Sequence, residues 1–394
     1  MELKKKAQHT YNENKLSDSY LSMLRSFIND VFQAEGSWSG QFNSKSSYKF
    51  NPKFSIGQNV STESLEFFSM LWAILGCNLL WVISITQANN FHIQLVSSNR
   101  TYIISTLIPY FSLTHGDKFI ALRKIQRLYD LAHTDTPEAK AESVHLAYSL
   151  SSSGKNSDIS LKEKLLHVLG ENSNLHMQAT NLEKDKSILE NNLYEVEAKS
   201  DSINLSFILG FFLGDGTLYV RIRDNKRGLN FVPKFEIKQK YTEVNVNLME
   251  LICKFLQSKK VKANLKTNSQ YVFCLVEGVD NVCCSLIPLL NTHKELFFWK
   301  TFQLKMTEQF GKLVALDVRN LRQINYLTIK TLYSIDNNRD LPMEHWFERI
   351  NDIFKKKAEK NISGETYISP INDKTNKKNQ IGWSVFLLAW RRNF

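Results

Sequence analysis

The spacing of apolar and polar positions changes abruptly at two places in this chain, each time at a glycine that follows an acid. Leu16 to Ala34 reads as mostly helical, with Ser17 or Asp18 placed to cap the first turn, and Ile203 to Gly214 repeats the pattern with Ser202 or Asn204 as the cap. Directly after the second glycine, "TLYVRIR" alternates, with Thr217, Tyr219, Arg221 and Arg223 on one face and Leu218, Val220 and Ile222 on the other. In each half a second strand ends at Gln58 or Gln239, a helix follows, two more strands run near Trp81 to Ser97 and Val261 to Val276, and helices close the unit. The order predicted for both halves is α-β-β-α-β-β-α, an α+β fold.

The two halves are copies of one unit. "AEG" at Ala34 to Gly36 recurs as "GDG" at Gly214 to Gly216, "KFSIGQ" at Lys53 as "KFEIKQ" at Lys234, and "TLIPYF" around Pro109 as "SLIPLL" around Pro288. The offsets stay between 179 and 181 residues, in the same order each time. This duplication decides how to read "FFSMLWAILGCNLLWVISI", Phe67 to Ile85, which is uncharged and long enough to imitate a membrane span. Its counterpart, "MELICKFLQSKKVKANL" from Met249 to Leu265, carries lysines, so the shared fold makes Phe67 to Leu75 a buried helix and Trp81 to Ile85 a core strand, with Gly76 to Asn78 as the turn between them.

The boundaries that follow are 1–131 for the first unit, 132–204 for a long connection, 205–335 for the second unit and 336–394 for a C-terminal extension. Within the connection, which is rich in Ser, Asn, Glu and Lys, Leu161 to Leu169 and Ile188 to Val196 have amphipathic helical spacing. Met343 to Lys355 and Gly382 to Phe394 in the extension have no copy in the first unit.

Charge narrows the choice of partner. Fifty Lys plus Arg against 39 Asp plus Glu give +11, which suits a polyanion, whether nucleic acid or an anionic membrane surface. Cys77, Cys253, Cys274, Cys283 and Cys284 lack the paired spacing of a zinc site and read as buried thiols in a reducing compartment. "MELKKKAQHTYNENK" has no apolar core of a secretory signal. The nine histidines make no HExxH pair, His92, His115 and His293 read as surface or satisfied residues, and neither GxxxxGK nor GxSxG occurs.

The chemistry-bearing residues are therefore Glu35 and Asp215. Each carboxylate ends an apolar helix and precedes a glycine, which is also how a solvated helix C-terminus reads. If the two helices pack side by side, the like charges repel unless a hard divalent cation such as Mg2+ or Mn2+ lies between them, and such a cation beside a phosphodiester activates water and stabilises the leaving oxygen. Strand alternation offers Trp38, Gln41, Asn43 and Lys45 in the first unit, and Tyr219, Arg221, Arg223, Asn225, Lys226, Glu236 and Lys238 in the second, to a nucleic-acid surface.

"INDVFQAEG" and "ILGFFLGDG" resemble the two signature copies of LAGLIDADG homing endonucleases in their single-chain, two-motif form. The resemblance spans roughly Leu21 to Asp130 and Leu205 to Ile335. It implies signature helices packed at a domain interface and four-stranded antiparallel sheets forming a saddle over a long double-stranded DNA site. It also implies metal-binding by Glu35 and Asp215, ordering of water by Gln58 and Gln239, and a basic residue after the "IP" helix, for which Lys294 is nearest in the second unit. Thr114, His115 and Lys118 stand there in the first. The function implied is site-specific double-strand cleavage for intron homing, by a monomer in an organelle, most often a mitochondrion. Some relatives assist splicing of their host intron RNA, so a maturase is the alternative. Asp30 and Ala34 depart from the small residues of the signature, whose second copy has Gly210 and Gly214; Asp30 in a helix seam needs a partner or loosens the contact.

Overall fold

The computed structural model describes residues 17–76, 78–85, 90–112, 114–150, 159–170, 203–225, 228–314, 322–335 and 341–362. Helix α1 (Asp18–Glu35) begins at Ser17, whose hydroxyl accepts from the Tyr20 amide. It runs directly into β1 (Gly36–Phe42), which pairs antiparallel with β2 (Phe50–Asn59). Then come α2 (Thr62–Leu75), β3 (Leu80–Ile85), β4 (Phe91–Ser97), a helical stretch from Arg100 to Tyr110 with a wide turn at Ile103–Leu107, and α3 (Gly116–Leu131). The second unit repeats this: α6 (Leu205–Asp215), capped by Asn204 on the Phe207 amide, then β5 (Gly216–Asn225), β6 (Gly228–Lys240), α7 (Glu243–Ser258), β7 (Ala263–Thr267) and β8 (Tyr271–Glu277). The intervening labels α4 (Pro137–Ser149) and α5 (Leu161–Leu169) belong to the connection. After the second "IP" stretch the chain forms α8 (Thr301–Val314), α9 (Arg322–Ile335) and α10 (Met343–Ile362).

Each sheet has four antiparallel strands, ordered β1-β2-β4-β3 and β5-β6-β8-β7. The same crossing order in both units is the structural form of the sequence repeat. Alternation sorts the faces: Phe50, Phe54 and Ile56 of β2, and Leu218 and Val220 of β5, point into the core, while Ser37, Gln41, Arg221 and Arg223 lie outward. No helix among the described residues is long and apolar enough to cross a membrane.

The two units join through α1 and α6, and the joint is close because one side lacks side chains. A Cβ on Gly214 would lie 2.1 Å from Ala34 Cβ, and one on Gly210 would lie 2.5 Å from Asp30 Cβ and 2.7 Å from the Phe27 carbonyl oxygen. Only glycine fits at either position without moving a backbone. Aromatic packing reinforces one flank, where Phe298 stacks on Phe27 at 6.0 Å and meets Phe67 edge-on at 5.3 Å. The other flank is polar: Asn245 at the start of α7 donates to Asp117 at the start of α3 over 3.1 Å.

Four expectations change. Trp81 to Ile85 does form a strand, but at a sheet edge: Leu80, Ile83 and Ile85 are exposed rather than core. The connection holds an additional helix, α4, whose Ala141, Val144 and Tyr148 are buried; its low apolar contrast hid it. Lys294 and Trp38 are treated below. Cys77, Lys226, Ile188 to Val196 and Gly382 to Phe394 lie outside the described residues.

Asp30 is the unfavourable element of the joint. Fully buried, it receives one long hydrogen bond, from Ser26 at 3.4 Å, and burial holds its carboxyl well above the usual carboxylate range. The native state thus keeps a proton that the unfolded chain releases above about pH 3.9, so stability falls as pH rises from there. Asp30→Asn should remove that slope and stabilise the protein by at least about 1 kcal/mol at neutral pH, read as a urea midpoint that diverges from wild type as pH increases. Parallel midpoints across that range would show that Asp30 is ionised in the seam.

Candidate active site

The packing of α1 on α6 delivers Glu35 and Asp215 to one place. Both are last residues of their helices, and the missing side chain at Gly214 lets Glu35 approach, since a Cβ there would lie 3.0 Å from Glu35 Cγ. Each carboxylate is half-buried and held by a glutamine from the second strand of its own sheet. Gln58 Nε2 donates to Glu35 Oε1 at 2.9 Å, and Gln239 Nε2 donates to Asp215 Oδ2.

Two lysines complete the arrangement. Lys118, from the first turn of α3, donates to the Gly36 carbonyl oxygen, and Lys300 donates to the Gly216 carbonyl oxygen at 2.9 Å. These carbonyls belong to the residues immediately after the two acids, so the lysines are pseudo-symmetric mates. Each is held by its neighbours. Gln33 and His115 exchange two buried hydrogen bonds of 2.8 and 2.7 Å that pin the entry to α3 onto α1. In the second unit Trp299 Nε1 donates to the Leu213 carbonyl oxygen at 2.8 Å and anchors the residue before Lys300.

Burial, and next the charge of Asp215, push the Glu35 carboxyl up to about 7, against the opposing pull of Gln58 and both lysines. Burial raises Asp215 as well. The same desolvation lowers Lys118 and Lys300, while the two acids act to raise them. Two acids and two bases share a partly desolvated corner, where every one of the four is held away from its comfortable charged state.

The donor set fits a hard divalent cation. Among the described residues no group of three or more His, Cys, Asp or Glu side chains comes together, so a cation here would be held by Glu35 and Asp215 alone among these side chains. His115 is buried nearby; burial lowers its imidazole to about 4, and its ring packs edge-on against Phe207.

Lys294 is a correction. It lies exposed on the Asn291–Leu296 turn and has no part in the cluster; Lys300 occupies the position instead. The sequence signal that finds it is the repeat itself, for Lys118 and Lys300 are 182 residues apart, close to the offset of the acids. Trp38 is also corrected. It is 3% exposed and packs on Phe32, Phe54 and Phe111, beneath the sheet rather than on its outer face.

The remaining surface residues follow the alternation. Gln41, Asn43 and Lys45 are exposed along β1 and the turn after it, joined by Lys53. Across β5, Thr217, Arg221 and Arg223 are exposed and Tyr219 is partly so, reaching Glu236 at 3.4 Å. Asn225 closes β5, opposite Gly228. Lys238 sits over the Tyr271 ring at 3.7 Å. Residues the alternation passed over include Glu277, which gathers Lys234, Arg223 at 3.5 Å and Lys266 at 3.8 Å onto one carboxylate.

Two duplicated α-β-β-α-β-β-α units, with paired acids at their joint and an outward-facing antiparallel sheet in each, give this chain the fold of solved single-chain LAGLIDADG endonucleases. The LAGLIDADG endonuclease family model matches residues 208–309, within the second unit. The I-SmaMI LAGLIDADG homing endonuclease bound to cleaved DNA has a similar fold, with 15% identity over 80% of this chain and 97% of that one at a TM-score of 0.58. So has the I-LtrWI LAGLIDADG homing endonuclease bound to target DNA, at 15% identity, 81% and 99% coverage and a TM-score of 0.56. I-SmaMI bound to uncleaved DNA target in the presence of calcium ions is similar at 13% identity, covering 80% and 98% with a TM-score of 0.55. No curated protein matches the chain.

The like charge of Asp215 contributes to the raised titration of Glu35, so Asp215→Asn should bring the Glu35 midpoint down from about 7. Carbon-detected NMR of the side-chain carboxyl reads this directly. A midpoint unmoved by the substitution would mean that the two acids do not sense each other.

Proposed function

We propose that the protein is a divalent-metal-dependent, site-specific endonuclease that cuts both strands of DNA and serves the homing of its own intron. The observation that supports this most is the retention of a complete acid, glutamine and lysine set in both units: Glu35, Gln58 and Lys118 beside Asp215, Gln239 and Lys300. A divalent cation at the two carboxylates, Mg2+ or Mn2+, would supply Lewis acidity toward a scissile phosphate. The chain's own residues do the rest. Glu35 and Asp215 hold the cation's charge over the seam, the two glutamines fix the orientation of the carboxylates, and Lys118 and Lys300 present desolvated positive charge to developing phosphoryl negativity. The outward sheet faces, with Gln41, Asn43 and Lys45 on one side and Arg221, Arg223 and Lys238 on the other, hold the duplex in register. Double-stranded DNA is the partner this set serves; host intron RNA would use the same positive faces but has no need of two intact acid sets. The homing role places the protein in an organelle, a mitochondrion being the commonest setting, and the internal pseudo-twofold lets one chain act as a monomer.

The test is cleavage of a DNA library carrying candidate intron-insertion sequences, in the presence of magnesium. Wild type should cut at one site. Glu35→Gln and Asp215→Asn should each lower cutting by at least about a thousandfold while binding is kept or improved, since only negative charge is lost near phosphate. Cutting that survives both substitutions would remove these acids from the mechanism. Tight binding to the host intron RNA with no DNA cut by wild type would replace the endonuclease reading with the maturase.

A further inference from the structure

Both sheets end in a long hairpin that projects away from the seam, β1–β2 in one unit and β5–β6 in the other. Such hairpins carry outward residues, yet a two-stranded ribbon has little rigidity of its own. Each is packed from beneath by helices that follow the unit's second pair of strands. Under β1–β2 lie α4 and α5: Phe42, the last residue of β1, packs against Tyr148 at 6.3 Å within a cluster that includes Val144 and Leu165. Under β5–β6 lie α8, α9 and α10, where Val220, Leu229 and Phe231 meet Phe310, Ile329 and Ile350.

A cation completes each contact. Lys164 of α5 is 1% exposed; its ammonium donates to the carbonyl oxygens of Ser44 at 2.6 Å and Lys45 at 2.8 Å, and lies 4.1 Å from the Phe42 ring centroid. A lysine buried with no carboxylate partner at its tip is costly unless its donors are used, and here they are used on the backbone of the hairpin turn. In the second unit Arg349 of α10 grips Asp224, near the end of β5, through two hydrogen bonds of 2.6 and 2.9 Å. Asp224 is on the under face of β5, opposite in sense to Arg221 and Arg223. α9 and α10 start 185 and 182 residues after α4 and α5, close to the offset of the acids. They arrive at equivalent places.

We propose that the connection and the C-terminal helices are braces that hold the two outer hairpins against DNA, with Lys164 and Arg349 as the positioning residues. This rests on the DNA reading above. Lys164 fixes the turn that bears Asn43 and Lys45, and Arg349 fixes the strand that bears Arg221 and Arg223. Sequence preference at the two outer ends of a target site, rather than the chemistry at its centre, then depends on helices that touch neither the seam nor the acids.

Two measurements test this. The first is selection of bound sequences from a pool of random-sequence duplexes by wild type, Lys164→Met, Lys164→Arg and Arg349→Met. Lys164→Met should lose base preference at the outer positions of one half-site only, with affinity down about tenfold. Arg349→Met should do the same at the other half-site, and Lys164→Arg, which keeps donors for both carbonyls, should largely restore the pattern. Cutting at saturating protein should stay unchanged in all of them. Preferences that survive Lys164→Met, or that fade evenly along the whole site, would overturn the brace. The second is amide hydrogen exchange on the free protein, which needs no DNA. Lys164→Met should speed exchange in 43–49 about tenfold and leave the α1–α6 seam as it was. Unchanged exchange at 43–49 overturns the brace, whereas wild type that selects no sequence but shows the local exchange effect places the failure in the DNA reading.

Discussion

The approach of α1 to α6 at Gly210 and Gly214 is the constraint from which the rest follows. A helix pair this close is possible only where one surface is bare backbone, and the missing methyl at Gly214 is also what admits Glu35 beside Asp215. Because each helix runs without a loop into the first strand of its sheet, the seam sets the position of the acids and, through β1 and β5, of both outward faces. Fold and site are one decision. Asp30 shows how firmly that decision is made, since the seam keeps its spacing around a buried carboxyl that has only a long bond from Ser26.

At the end of the seam the electrostatics are those of a site built for something more than the protein itself. Glu35 and Asp215 are raised by burial, and Lys118 and Lys300 are lowered by it. The four groups balance in number, yet none is well solvated. A divalent cation together with a phosphate would add charges of both signs and let all four ionise against complementary neighbours. The lysines bond to the carbonyls of Gly36 and Gly216.

Much of this was legible in the sequence because period and repetition are written locally. The helix starts, each with its cap among two candidates, the faces of "TLYVRIR" and the pairing of Glu35 with Asp215 all follow from spacing and from the offset of the two halves. What escaped depends on distance through space. Trp38 has the alternation of a strand but a large ring, and burial among three phenylalanines decided its side. Lys294 stood nearest by counting, yet the extra turns at Asn291–Leu296 and Phe298–Lys300 carry the chain on to Lys300. Trp81 to Ile85 is apolar enough for a core, and only the strand order shows it at an edge. Helix α4 was hidden since its buried face is made largely of alanine and serine.

The outer hairpins show the other side of duplication. Helices at matching places in the two halves lie beneath the hairpins, but the cation that completes each contact differs: Lys164 reaches backbone carbonyls in one, and Arg349 reaches the Asp224 carboxylate in the other. The central claim remains that the seam makes one cation site from two halves. Equilibrium titration of Mn2+ into the protein bound to duplex DNA, followed by electron paramagnetic resonance, tests it most directly. Tight ions should be lost when Glu35→Gln and Asp215→Asn are combined, with the DNA still bound; the same number of tight ions in the double variant as in wild type would show that the two acids do not hold them.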